Sequence, residues 1–131
     1  MNGHTWYATG RESVLDAAAL DGLVADVGVA EADRFAGCYL ELLEKRVAHL
    51  HRAAVTADLD ELDEVALSLH ATSVMVGAEG LAGSVAALSE ALGAGVLAEV
   101  GTALAEIEII AAVTTGALVA RRAAAPAGAV A

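Results

Sequence analysis

Cysteine, proline and basic side chains are scarce in this chain. Cys38 is the only cysteine among 131 residues, so an internal disulfide framework is excluded and a reducing compartment is expected. Its expected place is a buried position on a helix, where a thiol packs as a small hydrophobe. Pro126 is the only proline, which leaves everything before it free of the ring that breaks helices. Seven Lys and Arg stand against eighteen Asp and Glu, for a formal net charge of −11, so a nucleic-acid backbone would be repelled rather than neutralised. Long charge-free runs are missing too. "IIAAVTTGALVA", Ile109 to Ala120, falls short of the roughly 20 residues that span a bilayer. "MNGHTWYATGRE" has no basic region leading into an apolar run, as a signal peptide would. A soluble, cytoplasmic protein with no membrane partner is expected.

What the sequence has in abundance is alanine, leucine, valine and acid, a helix-forming mixture. Its length suits one domain with a single core. Apolar periodicity predicts five helices. The first covers about Ser13 to Val24, with Val14, Leu15, Ala18 and Leu23 available for burial and "DVG" closing it. The second covers about Ala30 to Val55, with Phe35, Tyr39, Leu42, Leu43, Val47 and Leu50 on its core side. The third runs from about Leu59 to Val76, behind Thr56 or Asp58 as a cap, and places Leu59, Leu62, Ala66, Leu69, Ser73 and Val76 at alternating steps of three and four. The fourth, about Glu79 to Leu92, repeats that spacing. The fifth, about Val96 to Arg122, offers Leu97, Leu104, Ile107, Ala111 and Leu118. Long helices with short connections predict an all-α fold, an up-and-down four-helix bundle with an accessory N-terminal helix. It would occupy residues 13–122, between a flexible arm (1–12) and a disordered tail (123–131). Trp6 and Tyr7 are the residues by which the arm would dock.

The third helix raises a functional question. With Leu69 at the centre of its buried side, the 100° step puts Leu62, Val65, Ala66, Ser73 and Val76 near it and sends Leu67, Ala71, Val74 and Ala78 to the far side. His70 falls between the two. Several apolar residues down one outward face mark a partner or dimer surface, unless another helix of the chain covers them.

The segment "LSLHATSVMVGA", Leu67 to Ala78, resembles the motif of histidine-phosphotransfer (HPt) domains, H-x-L-K-G/S-S-x-x-x-φ-G-A with φ apolar. The likeness lies at Leu69, Thr72 or Ser73, Val76, Gly77 and Ala78. Flanking segments "FAGCYLELLEKRVAHLHRAAVTADLDELDEVA" and "LAGSVAALSEAL" are similar to the helices on either side, so the likeness covers about Val14 to Leu92, with the last helix matched by length. The resemblance implies an HPt-like bundle in a bacterial two-component phosphorelay, with a response-regulator receiver domain or a hybrid histidine kinase as partner. In an active member an exposed imidazole is the nucleophile, a nearby cation offsets phosphoryl charge and a small residue leaves room for the partner. Here the phosphoacceptor position is Leu67, the lysine position is His70 and the small residue is Ala71. Leucine cannot accept a phosphoryl group.

Three readings of His70 stay open: a displaced phosphoacceptor, a polar contact in place of the lysine, or a solvated rim histidine. His49 and His51 point apart on one helix and are expected to be solvated rather than a joint metal site. His4 has no expected role. No Glu-x-x-His pair, glycine-rich phosphate loop or nucleophile elbow occurs, so neither metal, cofactor nor enzymatic turnover is expected beyond phosphoryl carriage. The expected function is phosphorelay docking through Leu67, His70, Ala71, Val74 and Ala78. The alternative is a non-catalytic bundle that homodimerises or acts as an adaptor through the same face.

Overall fold

The computed structural model describes residues 14–124. Five α-helices follow one another: α1 (Ala17–Val27), α2 (Val29–Val55), α3 (Leu59–Met75), α4 (Glu79–Ala94) and α5 (Leu97–Ala124). No strand occurs among the described residues. The expectations about residues 1–12 and about 125–131, including His4, Trp6, Tyr7 and Pro126, lie outside the described residues.

Local chemistry sets the helix ends. Asp16 starts α1 by accepting the Ala18 amide at 3.0 Å, which moves the start past the expected Ser13. The helix then continues beyond Val24 to Val27 and stops at Gly28, whose φ of +90° suits a residue without Cβ. Asp58 caps α3 by accepting the Glu61 amide at 3.1 Å, with Asp60 and Glu61 in the first turn, where the helix dipole favours carboxylates. Gly95, at φ +73°, ends α4. Arg121 and Arg122 lie in the last turn of α5, where cations are favoured.

α3 packs against α2 and α4, α4 against α5, and α5 against α2, while α1 lies on α2 and α3. Cross-helix pairs give the directions. Tyr39 meets Ser73 while His49 meets Glu61, so α2 and α3 run antiparallel. Asp33 meets Arg122 while His51 meets Glu108, so α2 and α5 do as well. The core between them is aliphatic, and Leu43, Leu50, Leu62, Leu69, Leu81, Leu88, Ile107, Ile110 and Leu118 are fully buried. Each such side chain contributes about 1.5–3 kcal/mol by leaving water.

Several expected core residues are exposed. Leu59 and Leu97 each begin a helix, where the apolar stripe overhangs the end of its neighbours. Leu42 and Ala18 also face outward. Cys38 is exposed rather than buried, because it lies roughly 140° around α2 from Leu43 by the 100° step.

Leu97–Ala123 is long and apolar enough to cross a membrane by length and composition, and 44% of its most apolar window is buried in the bundle. The charge-free run Ile109–Ala120 understates this apolar length, since the helix stays apolar on both sides of Glu106 and Glu108.

Candidate functional site

α3 divides cleanly into two sides. Leu62, Val65, Ala66, Leu69 and Ser73 are buried against its neighbours. On the other side Leu67 is 57% exposed, Val74 51% and Met75 50%, with Ala71 exposed among them. The structure therefore brings Leu67, Ala71 and Val74 onto one outward ridge, with His70 partly exposed at its edge. No other helix of the described chain covers it.

Ala78 departs from that arrangement, being fully buried. The α-helix stops at Met75, Val76 forms its C-cap and Gly77 adopts φ +73°, so the 100° step ceases to apply before residue 78 is reached. Met75 takes the place expected of Ala78 at this end. The signal for it was present, since the same arithmetic puts Met75 about 120° from Leu69.

Two hydrogen bonds from α2 fix the rotation of α3 and thus which residues form the ridge. The Tyr39 hydroxyl and Ser73 Oγ are 2.7 Å apart in the interior. Burial pushes the Tyr39 phenol up to about 12, against smaller opposing effects of the Ser73 hydrogen bond and the Arg46 charge. Two turns of α2 further on, Arg46 Nη1 donates to Thr72 Oγ1 at 3.0 Å. The Thr72 hydroxyl in turn points to the Ser68 and Leu69 carbonyls, both at 3.2 Å. Sequence periodicity does not reveal these cross-helix partners, because it carries no register between helices.

The chemistry on offer at the ridge is limited. Leu67 presents no nucleophile, and α3 contains no Lys or Arg but four acids, Asp60, Glu61, Asp63 and Glu64. The His70 imidazole has no hydrogen-bond or ion-pair partner among the described residues. An unanchored imidazole at the rim of an apolar ridge is a usable polar contact, while its nucleophilic use needs a partner to orient it.

His49 and His51 differ from the solvated pair expected of them. Each is about two-fifths exposed and reaches a glutamate on a different helix: His49 Nε2 is 2.5 Å from Glu61 on α3, and His51 Nε2 is 3.6 Å from Glu108 on α5. The His49 contact ties α2 to α3, while His51 Nε2 is buried without a hydrogen-bond partner among the described residues and only lies near Glu108. Among the described residues no group of three or more His, Cys, Asp or Glu side chains is placed to hold a metal. Two open grooves lie away from the ridge. One, of about 580 Å³, runs between α2 and α5 past Val47, His51 and Glu108, and the other, of about 470 Å³, lies between α4 and α5 beside Glu90, Glu99 and Glu106.

No family of known proteins, no curated protein and no solved structure matches this chain.

Proposed function

We propose that this chain is an HPt-like, up-and-down four-helix bundle with an accessory N-terminal helix, acting in a bacterial two-component phosphorelay in the cytoplasm. It docks a receiver domain or a hybrid histidine kinase through the outward ridge of α3 and does so without a phosphohistidine at position 67. The observation that carries this reading is the half-exposed Leu67 at the register position where the resembling family places its phosphoacceptor, with Ala71, Val74 and Met75 extending the apolar surface. A contiguous apolar ridge of this kind is costly to leave in water and is retained where a partner covers it. Thr72, Ser73, Val76 and Gly77 support the same register.

His70 lies one turn from Leu67 on neighbouring surface and is the one imidazole on α3, so it is the residue that would carry phosphate as a displaced acceptor. The test mixes the full chain with purified receiver domains and with an autophosphorylating hybrid kinase. Binding that Leu67→Asp abolishes supports docking. Acid-labile label that His70→Ala removes makes the chain a phosphocarrier with a displaced acceptor. If no receiver or kinase binds, and sizing chromatography gives a dimer that Leu67→Asp with Val74→Asp turns monomeric, the ridge is a homodimer surface and the relay reading fails.

A further inference from the structure

The ridge on α3 ends beside the point where the described chain begins. Val14 is 1% exposed, and the amide of Asp16 donates to the Gly77 carbonyl at 2.7 Å. The chain therefore enters the bundle beside the C-terminal end of α3, two residues from Met75 and three from Val74. We propose that the N-terminal arm folds back along α3, laying Trp6 and Tyr7 on Leu67, Ala71 and Val74, and so occupies the docking face in cis until a partner displaces it. As a regulation of that face the inference rests on the docking reading above.

Reach, chemistry and charge all favour this occupant. From Val14 back to Tyr7 an extended chain spans roughly 23 Å. The ridge from Met75 to Leu67 measures only about 12 Å along the helix. The arm holds two of the chain's four aromatic side chains, next to each other, while the other two, Phe35 and Tyr39, belong to the α2 side of the core. Adjacent Trp and Tyr bring a large apolar area with few rotatable bonds, which suits an aliphatic ridge. The arm carries one Arg, Arg11, and one Glu, Glu12, so it is formally neutral in a chain of net charge −11 and can lie along an acidic helix without repulsion. Residues 125–131, at the other end of the sequence, offer no side chain larger than proline or valine and are a poorer occupant.

Trp6 is the only tryptophan, so the intact protein reports on its own arm. Tryptophan emission and acrylamide quenching are to be measured on the full chain, on Leu67→Asp and Val74→Asp separately, and on Ile109→Asp, a site of equal exposure on α5 (54%). The expected result is a blue-shifted, shielded Trp6 in the wild type and in Ile109→Asp, with a red shift and loss of shielding in either ridge variant. Circular dichroism on each variant registers whether the helices are intact. A wild-type Trp6 as open to quencher as the free amide overturns the proposal. Shielding that survives both ridge variants also overturns it, since the arm then rests elsewhere. Shielding that vanishes on dilution overturns the cis arrangement in favour of exchange between two copies. Receiver binding separates the two ideas: a full-length Trp6→Ser, Tyr7→Ser chain that binds a receiver more tightly than wild type supports the arm as a brake. A shielded, ridge-dependent Trp6 in a protein that binds no receiver with or without those changes upholds the arm contact and removes the docking reading.

Discussion

The carbonyl oxygen of Asp16 lies 2.7 Å from the point where a Cβ on Gly77 would stand, and the Asp16 amide donates to the Gly77 carbonyl at the same 2.7 Å. Gly77 combines this close approach with φ +73°, so two independent reasons require glycine there. Gly77→Ala should strain the turn between α3 and α4 and push α1 away, at a cost of about 1–3 kcal/mol. The check is a urea melt together with amide exchange. The expected pattern is a lower midpoint, with α1 amides losing protection before those of α3 and α4; unchanged protection in α1 would remove Gly77 as the seat of that helix.

Tyr39 and Ser73 provide the next prediction. Their hydroxyls satisfy one another inside an aliphatic core, and burial holds the Tyr39 phenol up at about 12. Tyr39→Phe strands the Ser73 hydroxyl, and Ser73→Ala strands the phenol, so each single change should cost about 1–3 kcal/mol. The double variant removes both polar groups and should be less destabilised than the two singles added together. Additive losses in a double-mutant cycle of urea melts would show that the two hydroxyls are not coupled.

Asp33 and Arg122 join the start of α2 to the end of α5, with Arg122 Nε and Nη2 donating to the two carboxylate oxygens at 2.8 and 3.1 Å. The Arg122 hydrogen bond holds the Asp33 carboxyl below its ordinary value of 3.8, despite a small opposing effect of burial. A carboxyl depressed in the folded state stabilises the fold above its unfolded value, and that stabilisation is lost as pH falls through the folded value. Both side chains are well exposed, so the contribution is a few tenths of a kcal/mol, up to about 1. Asp33→Asn should accordingly lower stability by that amount from neutral pH down to about pH 4, flatten the acid limb below it, and converge with wild type at the lowest pH. Urea midpoints across that range at low salt test it, and an acid limb identical to wild type counts against the pair.

Most of the helical skeleton was legible from apolar spacing, because Leu62, Leu69, Leu81, Leu88 and Ile107 repeat at steps that only a helix places on one side. Periodicity erred where a helix ends or overhangs. Leu59 and Leu97 fit the stripe yet have no neighbour opposite, and Ala78 fits the outward face yet follows a turn that rotates it inward. Of the candidate face, Leu67, Ala71 and Val74 could be placed from one helix alone. Arg46, Thr72 and the glutamate partners of His49 and His51 could not, since they depend on how two helices are set against each other. Met75 was within reach of the same arithmetic that placed Val74.

Leu67 and Leu69, two residues apart on α3, should respond in opposite ways to the same substitution. Leu69 is fully buried, so Leu69→Ala leaves a cavity and should cost about 2–5 kcal/mol. Leu67 is 57% exposed, and Leu67→Ala should stay within about 0.5 kcal/mol of wild type, as surface changes usually do. On the docking reading the order reverses for partner binding: Leu67→Ala weakens it while the fold is intact, and Leu69→Ala weakens it only as far as it unfolds the protein. Denaturant melts paired with calorimetric titration of a receiver domain separate the two. A Leu67→Ala variant that loses as much stability as Leu69→Ala would mean that Leu67 is packed into the bundle core, beyond any contact the arm makes with it, and an effect felt chiefly in binding would mark it as a surface kept for a partner.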